Sequence, residues 1–191
     1  MEKKRIGAKP FLYPMPTVLV GASVGGRPNY EAVAYCNMVS TSPPILFITS
    51  WKTHHTNKGI KENGTFSVNI PSAAMVTVTD YCGIVSGRRV DKSGLFTNFY
   101  GSLETAPMIK ECPINLECKV VDTMKIDGSE LFFGEIVEAY TEEKYLTDDL
   151  PDIQKISPII YSENDGNYWR VGAHLGKAYK VGKKLKEKGA R

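Results

Sequence analysis

The sequence feature that most constrains the fold of this chain is a segment of alternating apolar and polar residues that precedes an Asp-Gly pair. Over residues 114–120, Ile114, Leu116 and Cys118 alternate with polar residues, which is the period of a strand with two different faces. A second β-rich segment covers residues 131–140, and the Asp127-Gly128 pair between the two segments is a strong signal for a hairpin turn. The sequence therefore predicts a pair of antiparallel strands in the second half of the chain.

The same reasoning predicts two further hairpins. Residues 16–24 and 30–38 are rich in β-formers and flank a glycine-containing turn, and so are residues 158–162 and 168–171. Several hairpins in one chain favour a closed or nearly closed antiparallel barrel, because closure removes the exposed edges of a sheet. We therefore expect a mainly β fold.

Other segments add two strands and a few short helices to this picture. Residues 45–51 form an apolar, β-rich segment, and residues 65–70 alternate as in a half-buried strand. The polar segment 53–63 ends before Gly64 in the way that a helix C-terminus prefers, and residues 72–82 suit another short helix. Residues 86–113 show no period, and a long irregular segment in a compact domain is more often functional than idle.

Length and composition favour one domain in a reducing compartment. A chain of 191 residues with 42% hydrophobic residues suits a single domain over residues 1–191. It contains no apolar run long enough to cross a bilayer and no secretory signal, so we expect a cytoplasmic protein without a membrane partner. The three histidines do not have zinc-ligand spacing, so no metal site is predicted, and we expect four separate buried thiols at Cys36, Cys82, Cys112 and Cys118.

The positive charge of the chain is concentrated in a basic C-terminal tail from about residue 177. The formal net charge is +3, but residues 177–191 carry seven Lys or Arg and one Glu. The rest of the chain is therefore slightly acidic, whereas a nucleic-acid-binding protein carries its basic surface on the folded body. We expect no nucleic-acid partner; the tail is either a solvated, partly helical end or a loose contact for a nucleotide or an acidic partner.

The best candidate for a phosphate site lies where a strand passes into a helix. The glycines at residues 21–26 lack the spacing of a dinucleotide fingerprint, and there is no P-loop motif. In residues 50–56, free N–H groups, the positive end of the helix dipole, hydroxyls and Lys52 would favour a phosphate. The alternative interpretation is an ordinary helix N-terminus capped by Thr53.

A wider set of motifs resembles one protein family. The pattern A-x-x-N-M-V-S-x-x-P-P from Ala34, an apolar strand, S-W-K-T-H-H-T and N-G-x-F-S-V-N-I follow one another in the chain. Together they resemble the flavin reductase-like family, and most of all its flavoredoxin-like and ferric-reductase-like branch. The resemblance implies an FMN-binding split β-barrel, antiparallel and Greek-key-like with a few short helices, that binds FMN and forms a homodimer.

The resemblance also implies the residues of the cofactor site. The family's flavin-ring segment falls on six residues, its phosphate segment on five, and a stretch near the cofactor on two. Adjacent residues on a helix point about 100° apart, so only one of the two neighbouring histidines can easily face the phosphate. His55 is preferred because Lys52 and Thr56 flank its face. The three groups are Ala34, Tyr35, Cys36, Asn37, Met38 and Val39; Ser50, Lys52, Thr53, His55 and Thr56; and Ser86 and Gly87.

An FMN-binding oxidoreductase is the function that this resemblance implies. Electrons would pass from NAD(P)H through flavin to free flavin, a ferric complex or a partner redox protein. Arg88, Arg89 and Lys92 would meet the phosphates of the nucleotide, or would lie on a solvated loop. His174 would donate a proton near the flavin, or would cap a loop. The alternative functions are a flavoredoxin-type electron carrier without a nicotinamide site and, less consistent with the apolar strands, an RNA-binding barrel.

Overall fold

The computed structural model describes residues 1–183 and 185 and is mainly β, as the sequence predicts. Its longer helices and strands fall close to the predicted ones. The strands are β1 Met15–Pro16, β2 Val18–Val24, β3 Arg27–Val33, β4 Cys36–Thr41, β5 Pro44–Trp51, β6 Thr65–Ile70, β7 Asn98–Phe99, β8 Met108–Ile109, β9 Ile114–Ile126, β10 Ser129–Thr141, β11 Leu146–Thr147, β12 Leu150–Pro151, β13 Ile159–Ser162 and β14 Asn167–Arg170. The helices are α1 Thr56–Asn63, α2 Val76–Ile84 and α3 Ile153–Ile156, with short 3-10 turns at Ala73–Met75 and Glu143–Tyr145.

A seven-stranded antiparallel sheet dominates the molecule, in the order β3-β2-β6-β9-β10-β5-β4. The three predicted hairpins are confirmed: β2 pairs with β3, β9 with β10, and β13 with β14. Asp127 and Gly166 adopt the positive φ angles that tight turns require. The strand pair β13-β14 joins β1 in a second, smaller sheet.

The structure differs from the prediction at residues 30–38, which form two strands instead of one. Strand β3 ends at Val33 and pairs with β2, whereas β4 begins at Cys36 and pairs with β5. The chain changes partner at Ala34 and Tyr35, where Cys36 N–H donates to Ala34 O and Thr49 N–H donates to Tyr35 O. Because β3 and β4 are the two edges of the sheet, this two-residue joint curls the sheet into a barrel.

The interior of the barrel holds one apolar cluster. It is made of inward-facing side chains of β2, β3, β5, β6, β9 and β10 together with α1. Helix α1 lies close to β2 because Gly59 has no side chain, and a Cβ there would collide with Ser23 O. The fully or nearly buried members include Val20, Leu46, Ile48, Ile60, Phe66, Val68, Cys118 and Phe132.

Strand β6 is buried on both faces, which the prediction of a half-buried strand did not anticipate. Ser67 and Asn69 on its polar face are 0% exposed. Ser67 donates to Pro107 O, and the Asn69 side chain bonds Leu19 O, Ile109 N and Asn115 Nδ2 at 2.8 to 3.0 Å. The irregular segment before β9 therefore covers this face with backbone groups that only a polar strand face can satisfy.

Helix α1 begins at Thr56, later than the sequence predicts, and ends as expected at Gly64 with a left-handed φ of 66°. Its N-cap is His55 and not Thr53. Of the basic tail, Lys177, Lys180 and Lys183 are exposed, while residues 184 and 186–191 lie outside the described residues. In the described part of the chain, every helix is too short or too polar to cross a bilayer.

Substitution of Asn69 tests how much the buried polar contacts of β6 stabilise the fold. We expect Asn69→Ala to lower the free energy of unfolding by about 2 to 4 kcal/mol, because in the core it leaves Ile109 N–H without its acceptor and Asn115 Nδ2 with only Ile109 O of its two acceptors. Urea unfolding followed by circular dichroism measures the loss. The matched control Asn167→Ala, at an exposed position, should change stability by less than about 0.5 kcal/mol. Equal effects of the two variants would contradict this account.

Candidate functional site

Three adjoining cavities run along the joint between the two sheet edges. We call them the tyrosine cavity (about 470 Å³), the helix-end cavity (about 360 Å³) and the arginine cavity (about 270 Å³). Ala32 and His54 line both the tyrosine and the helix-end cavities. Asn29, His55 and Gly87 line both the helix-end and the arginine cavities. The three cavities therefore follow one another from the β3-β4 joint to the N-terminus of α1 and beyond it.

The tyrosine cavity lies at the β3-β4 joint and has mainly aromatic and small apolar walls. Its wall includes Ala34 and Tyr35 from the joint, Ser50 and Trp51 from β5, and Tyr161 from β13. Two of the predicted flavin-ring residues and one predicted phosphate residue thus meet in one cavity.

A hydrogen bond between distant parts of the chain closes one side of the tyrosine cavity. The Tyr35 hydroxyl donates to the Glu163 carboxylate, with O···O distances of 2.6 and 2.7 Å. This hydrogen bond raises the pKa of Tyr35 to about 12. It joins the β3-β4 joint to the turn between β13 and β14.

The helix-end cavity collects most of the predicted phosphate residues. Thr53, His55 and Thr56 line it from the start of α1, and Ser86 and Gly87 line it from the loop after α2. The loop approaches closely because residue 87 is glycine: a Cβ there would collide with Asn29 Oδ1. Asn29 Nδ2 in turn donates to Thr56 Oγ1 at 2.8 Å.

A buried carboxylate that sequence reasoning missed lies under this site. Glu31 on β3 is buried, and its Oε2 lies 3.1 Å from Nδ1 of His54, which also lies 3.0 Å from Ser50 Oγ. The hydrogen bond to Glu31 raises the pKa of His54, although burial opposes the shift. The signal in the sequence that could have revealed this residue is a single acidic side chain within a strand that is otherwise mostly buried.

Arg88 and Arg89 make the opposite end of the site cationic, and His55 lies beside them. Burial and the nearby Arg88 lower the pKa of His55. Arg88 and Arg89 are exposed and line both the helix-end and the arginine cavities. Glu31, already bonded to His54, is the one carboxylate that lines the helix-end cavity among the described residues.

Lys92 differs from the solvent-exposed, phosphate-binding group that the sequence predicts. Its side chain is 3% exposed, and Nζ donates to Cys82 O at 3.2 Å and Val85 O at 3.0 Å. These carbonyls belong to the last turn of α2 and the residue that caps it, where a cation is favoured. Burial lowers the pKa of Lys92. The ammonium group therefore holds the end of α2 and is not free for a phosphate.

Some predicted residues lie outside the three cavities. Lys52 is exposed, and its N–H donates to Gly128 O at the β9-β10 turn. Cys36 packs against the barrel interior, where burial raises its pKa to about 12. His174 is exposed on the segment after β14. The remaining members of the predicted ring segment, Asn37, Met38 and Val39, are exposed on edge strand β4.

The comparisons with known proteins agree with the fold. Residues 11–165 match the model of the flavin reductase like domain, so the chain belongs to the flavin reductase-like family. Its antiparallel sheet is the split barrel of that family.

Two solved structures and one curated relative illustrate the similarity. Flavoredoxin from Methanosarcina acetivorans is 51% identical with a TM-score of 0.94, over 97% of this chain and 100% of that one. Flavoredoxin of Desulfovibrio vulgaris (Miyazaki F) is 36% identical with a TM-score of 0.89, over 95% and 100%. The FMN reductase (NADH) RutF of Ancylobacter novellus is 25% identical over 63% of this chain and 65% of its own.

The two adjacent histidines have opposite pKa shifts, because Glu31 bonds His54 whereas burial and Arg88 act on His55. We expect His54 to titrate above the ordinary value of 6.5 and His55 below it. Because the folded pKa of His54 is raised, its ion pair stabilises the protein at acidic pH and is lost as pH rises through that pKa. NMR titration of the imidazole C–H signals measures both values.

Glu31→Gln provides the test of this assignment. It should lower the pKa of His54 and flatten the pH dependence of urea unfolding above about pH 6.5. Glu138→Gln, the same change at an exposed position of β10, is the matched control and should change neither. An unchanged His54 titration in Glu31→Gln would mean that the carboxylate does not hold the ring.

Proposed function

We propose that this protein is an FMN-binding oxidoreductase that passes electrons from NAD(P)H through bound flavin to an acceptor. The observation that carries the proposal is the direct junction of an aromatic and apolar cavity with a cationic, hydroxyl-lined one. An isoalloxazine is a flat apolar ring with a polar rim, and it is linked to a phosphate; this pair of environments suits its two ends.

The helix-end cavity has the donors that a phosphate monoester needs. Helix α1 has no side-chain cap at His55. Lys58 N–H donates to His55 O, and the earlier N–H groups of the first turn, those of Thr56 and Asn57, are the ones that suit an anion. The Thr53 and Ser86 hydroxyls and the Arg88 guanidinium line the same cavity. Gly87 keeps the loop close enough for these groups to converge.

The tyrosine cavity suits the ring end of the cofactor. Ala32, Val33 and Ala34 give it a wall of small side chains, with Trp51 and Tyr161 beside them. The backbone near Ala34 and Tyr35 leaves the regular ladder there, because β3 and β4 pair with different strands. Ala34 O and Tyr35 O already accept from Cys36 N–H and Thr49 N–H, and each carbonyl keeps a second lone pair for the polar rim of a flat ring.

In this proposal the protein binds and orients the flavin and sets the charge around it. The flavin, when bound, accepts electrons and passes them on. Arg88 and Arg89 would bind the phosphates of the nicotinamide nucleotide. His54 holds a proton at Nδ1 toward Glu31, at the wall shared by the two cavities. No protein nucleophile is needed for hydride transfer.

A second candidate function is a flavoredoxin-type electron carrier that receives its electrons from a protein donor. The 51% identity to the Methanosarcina acetivorans flavoredoxin favours it. Both candidate functions allow the same three acceptors, which are free flavin, a ferric complex and a redox protein.

We also propose a cytoplasmic homodimer. Tyr35, Met38, Val39 and Trp51 leave large apolar side chains 45 to 59% exposed around β4 and the end of β5. Clustered exposed apolar groups favour a protein interface. His174 keeps its proposed role as a proton donor only if a second copy brings it to the cavities, because it lies outside those of its own chain.

The phosphate assignment predicts a preference among flavins. We expect the protein to bind FMN at least about tenfold more tightly than riboflavin, because helix N–H groups and Arg88 gain only from the phosphate. Arg88→Ala should weaken FMN binding and leave riboflavin binding unchanged, whereas Arg170→Ala, an exposed arginine on β14, is the control. Fluorescence quenching measures these affinities, and equal affinity for both flavins would refute the assignment.

Anaerobic mixing with nicotinamide nucleotides separates the enzyme from the carrier. NADH or NADPH should bleach the oxidised flavin band of the FMN-loaded protein within seconds to minutes, and Arg89→Ala should slow the bleaching without releasing FMN. If dithionite bleaches the band and neither nucleotide does, the electron carrier is the correct function.

A further inference from the structure

An apolar cavity that shares no lining residue with the three cavities of the candidate site lies between the smaller sheet and the barrel. It has a volume of about 410 Å³, and β1, β13 and α3 line it together with the ends of β6 and β9. Among the described residues that line it, none is charged, and Thr17 is the one polar residue. Such walls favour an apolar occupant.

The rim of the apolar cavity is acidic. Pro151 and Ile153 line the cavity and are exposed. Asp148 and Asp149 form the turn between β11 and β12, directly before these residues, and both are exposed. In the described part of the chain, neither aspartate forms an ion pair. The cavity therefore combines an apolar interior with two negative charges at its edge.

The chain itself runs out from this cavity as an exposed segment. Val171 lines the cavity, and residues 172–183, which we call the C-terminal arm, follow directly. On the arm, Leu175 is 98% exposed and Tyr179 is 95% exposed. Neighbouring large apolar side chains that are almost fully exposed indicate a contact with another molecule.

The C-terminal arm has a shape of its own and carries positive charge. Lys180 N–H and Val181 N–H donate to Lys177 O at 3.1 and 3.2 Å, and Val181 lies so close to Gly176 that a Cβ at residue 176 would collide with it. Among the described residues, no member of the arm lines the apolar cavity of its own chain. Lys177, Lys180 and Lys183 are exposed. The arm thus combines apolar and basic side chains, which complement an apolar cavity with an acidic rim.

We propose that the C-terminal arm of one copy of this chain binds in the apolar cavity of a second copy. Leu175 and Tyr179 enter the cavity, and the lysines of the arm face Asp148 and Asp149 at its rim. Because the arm and the cavity adjoin in each copy, two copies can exchange arms reciprocally about a two-fold axis. The contact adds to the homodimer face proposed on β4 and β5, and it does not depend on the flavin site.

Two other occupants of the cavity agree less well with these observations. The end of the chain, residues 186–191, has the sequence KEKGAR, which contains no large apolar side chain to fill the cavity. A small apolar molecule would leave Leu175 and Tyr179 exposed and the acidic rim without a partner. A second copy of the arm explains all three features.

Charge exchange between copies tests the contact. The rim variant carries Asp148→Lys and Asp149→Lys, and the arm variant carries Lys177→Glu and Lys180→Glu. Sedimentation equilibrium of the full-length proteins gives the Kd of the dimer. Each variant alone should raise this Kd by at least about tenfold, because like charges then meet. An equimolar mixture should restore the Kd of the parent protein, since both contacts of the mixed dimer again join opposite charges.

A milder variant guards against a disturbed turn. Asp148 and Asp149 have left-handed φ angles of 50° and 58°, which asparagine tolerates as well as aspartate does. Asp148→Asn with Asp149→Asn therefore removes the charge without straining the backbone. It should raise the Kd of the dimer by less than the lysine variant does, and an unchanged Kd would contradict the role of the rim.

The apolar part of the contact has its own test. Leu175→Ala with Tyr179→Ala should raise the Kd of the dimer by at least about thirtyfold, the effect of removing central anchors of an interface. Both side chains are exposed within one chain, so circular dichroism should show an unchanged fold. The control Val121→Ala, at an exposed position of β9, should leave the Kd unchanged.

Cross-linking distinguishes a contact between copies from one within a chain. Oxidation of a variant with both Ile153→Cys and Leu175→Cys should give a covalent dimer, and a covalently closed monomer would overturn the proposal. So would a monomeric parent protein, a mixture of charge variants that does not recover, or a dimer that the alanine variants leave unchanged, which would assign the interface to β4 and β5 alone. None of the substituted residues lines a cavity of the candidate site, so flavin binding measured on the same variants tests the proposed function separately.

Discussion

The two edges of the main sheet are consecutive in the chain, and the candidate site depends on that fact. Only Ala34 and Tyr35 separate β3 from β4, so the last residue of one edge and the first of the other lie at most about 11 Å apart. The edges are held together by the chain and not by a ladder of hydrogen bonds between them. Edge strands carry backbone N–H and C=O groups without a strand partner. A narrow gap with such groups on both sides is suited to a flat ligand with a polar rim.

Three kinds of contact fix the surroundings of this gap. Gly59 lets α1 rest on β2, so the N-terminus of the helix is held beside β3. The ion pair of Glu31 with His54 connects β3 to the segment that leads into the helix. The Tyr35 to Glu163 hydrogen bond connects the joint to the smaller sheet. Each contact joins elements far apart in sequence, and the latter two contacts lie in the walls of the cavities.

The hairpins were predictable because their signals are local. The hairpins β2-β3, β9-β10 and β13-β14 each depend on patterns a few residues long: alternating side chains in the strands and a glycine or Asp-Gly turn between them. The split of residues 30–38 was not predictable from these signals, because the change of partner leaves the β-type pattern unbroken. The burial of Ser67 depends on a covering segment 40 residues away, which periodicity cannot detect.

The candidate site was predicted unevenly for a related physical reason. Motif resemblance identified the joint, the start of α1 and the glycine loop, since these are short segments whose backbone shape fixes their sequence. It did not reveal Glu31, because a single buried carboxylate has no motif of its own. Lys92 resembled a surface cation because composition cannot show that its ammonium group bonds the end of α2.

Lys92 and the neighbouring arginines also explain why the glycine loop can serve a ligand. The Lys92 ammonium ties the chain after the loop to the end of α2, and Gly87 seats the loop against Asn29. The loop is thereby ordered by contacts within the protein, while Arg88 and Arg89 between these two anchors stay free. A loop that is ordered before binding loses less conformational entropy when a ligand arrives. Two of these four residues, Gly87 and Lys92, fix the backbone, and two, Arg88 and Arg89, face the cavities. This division of tasks suits the irregular segment to the binding role that we propose for it.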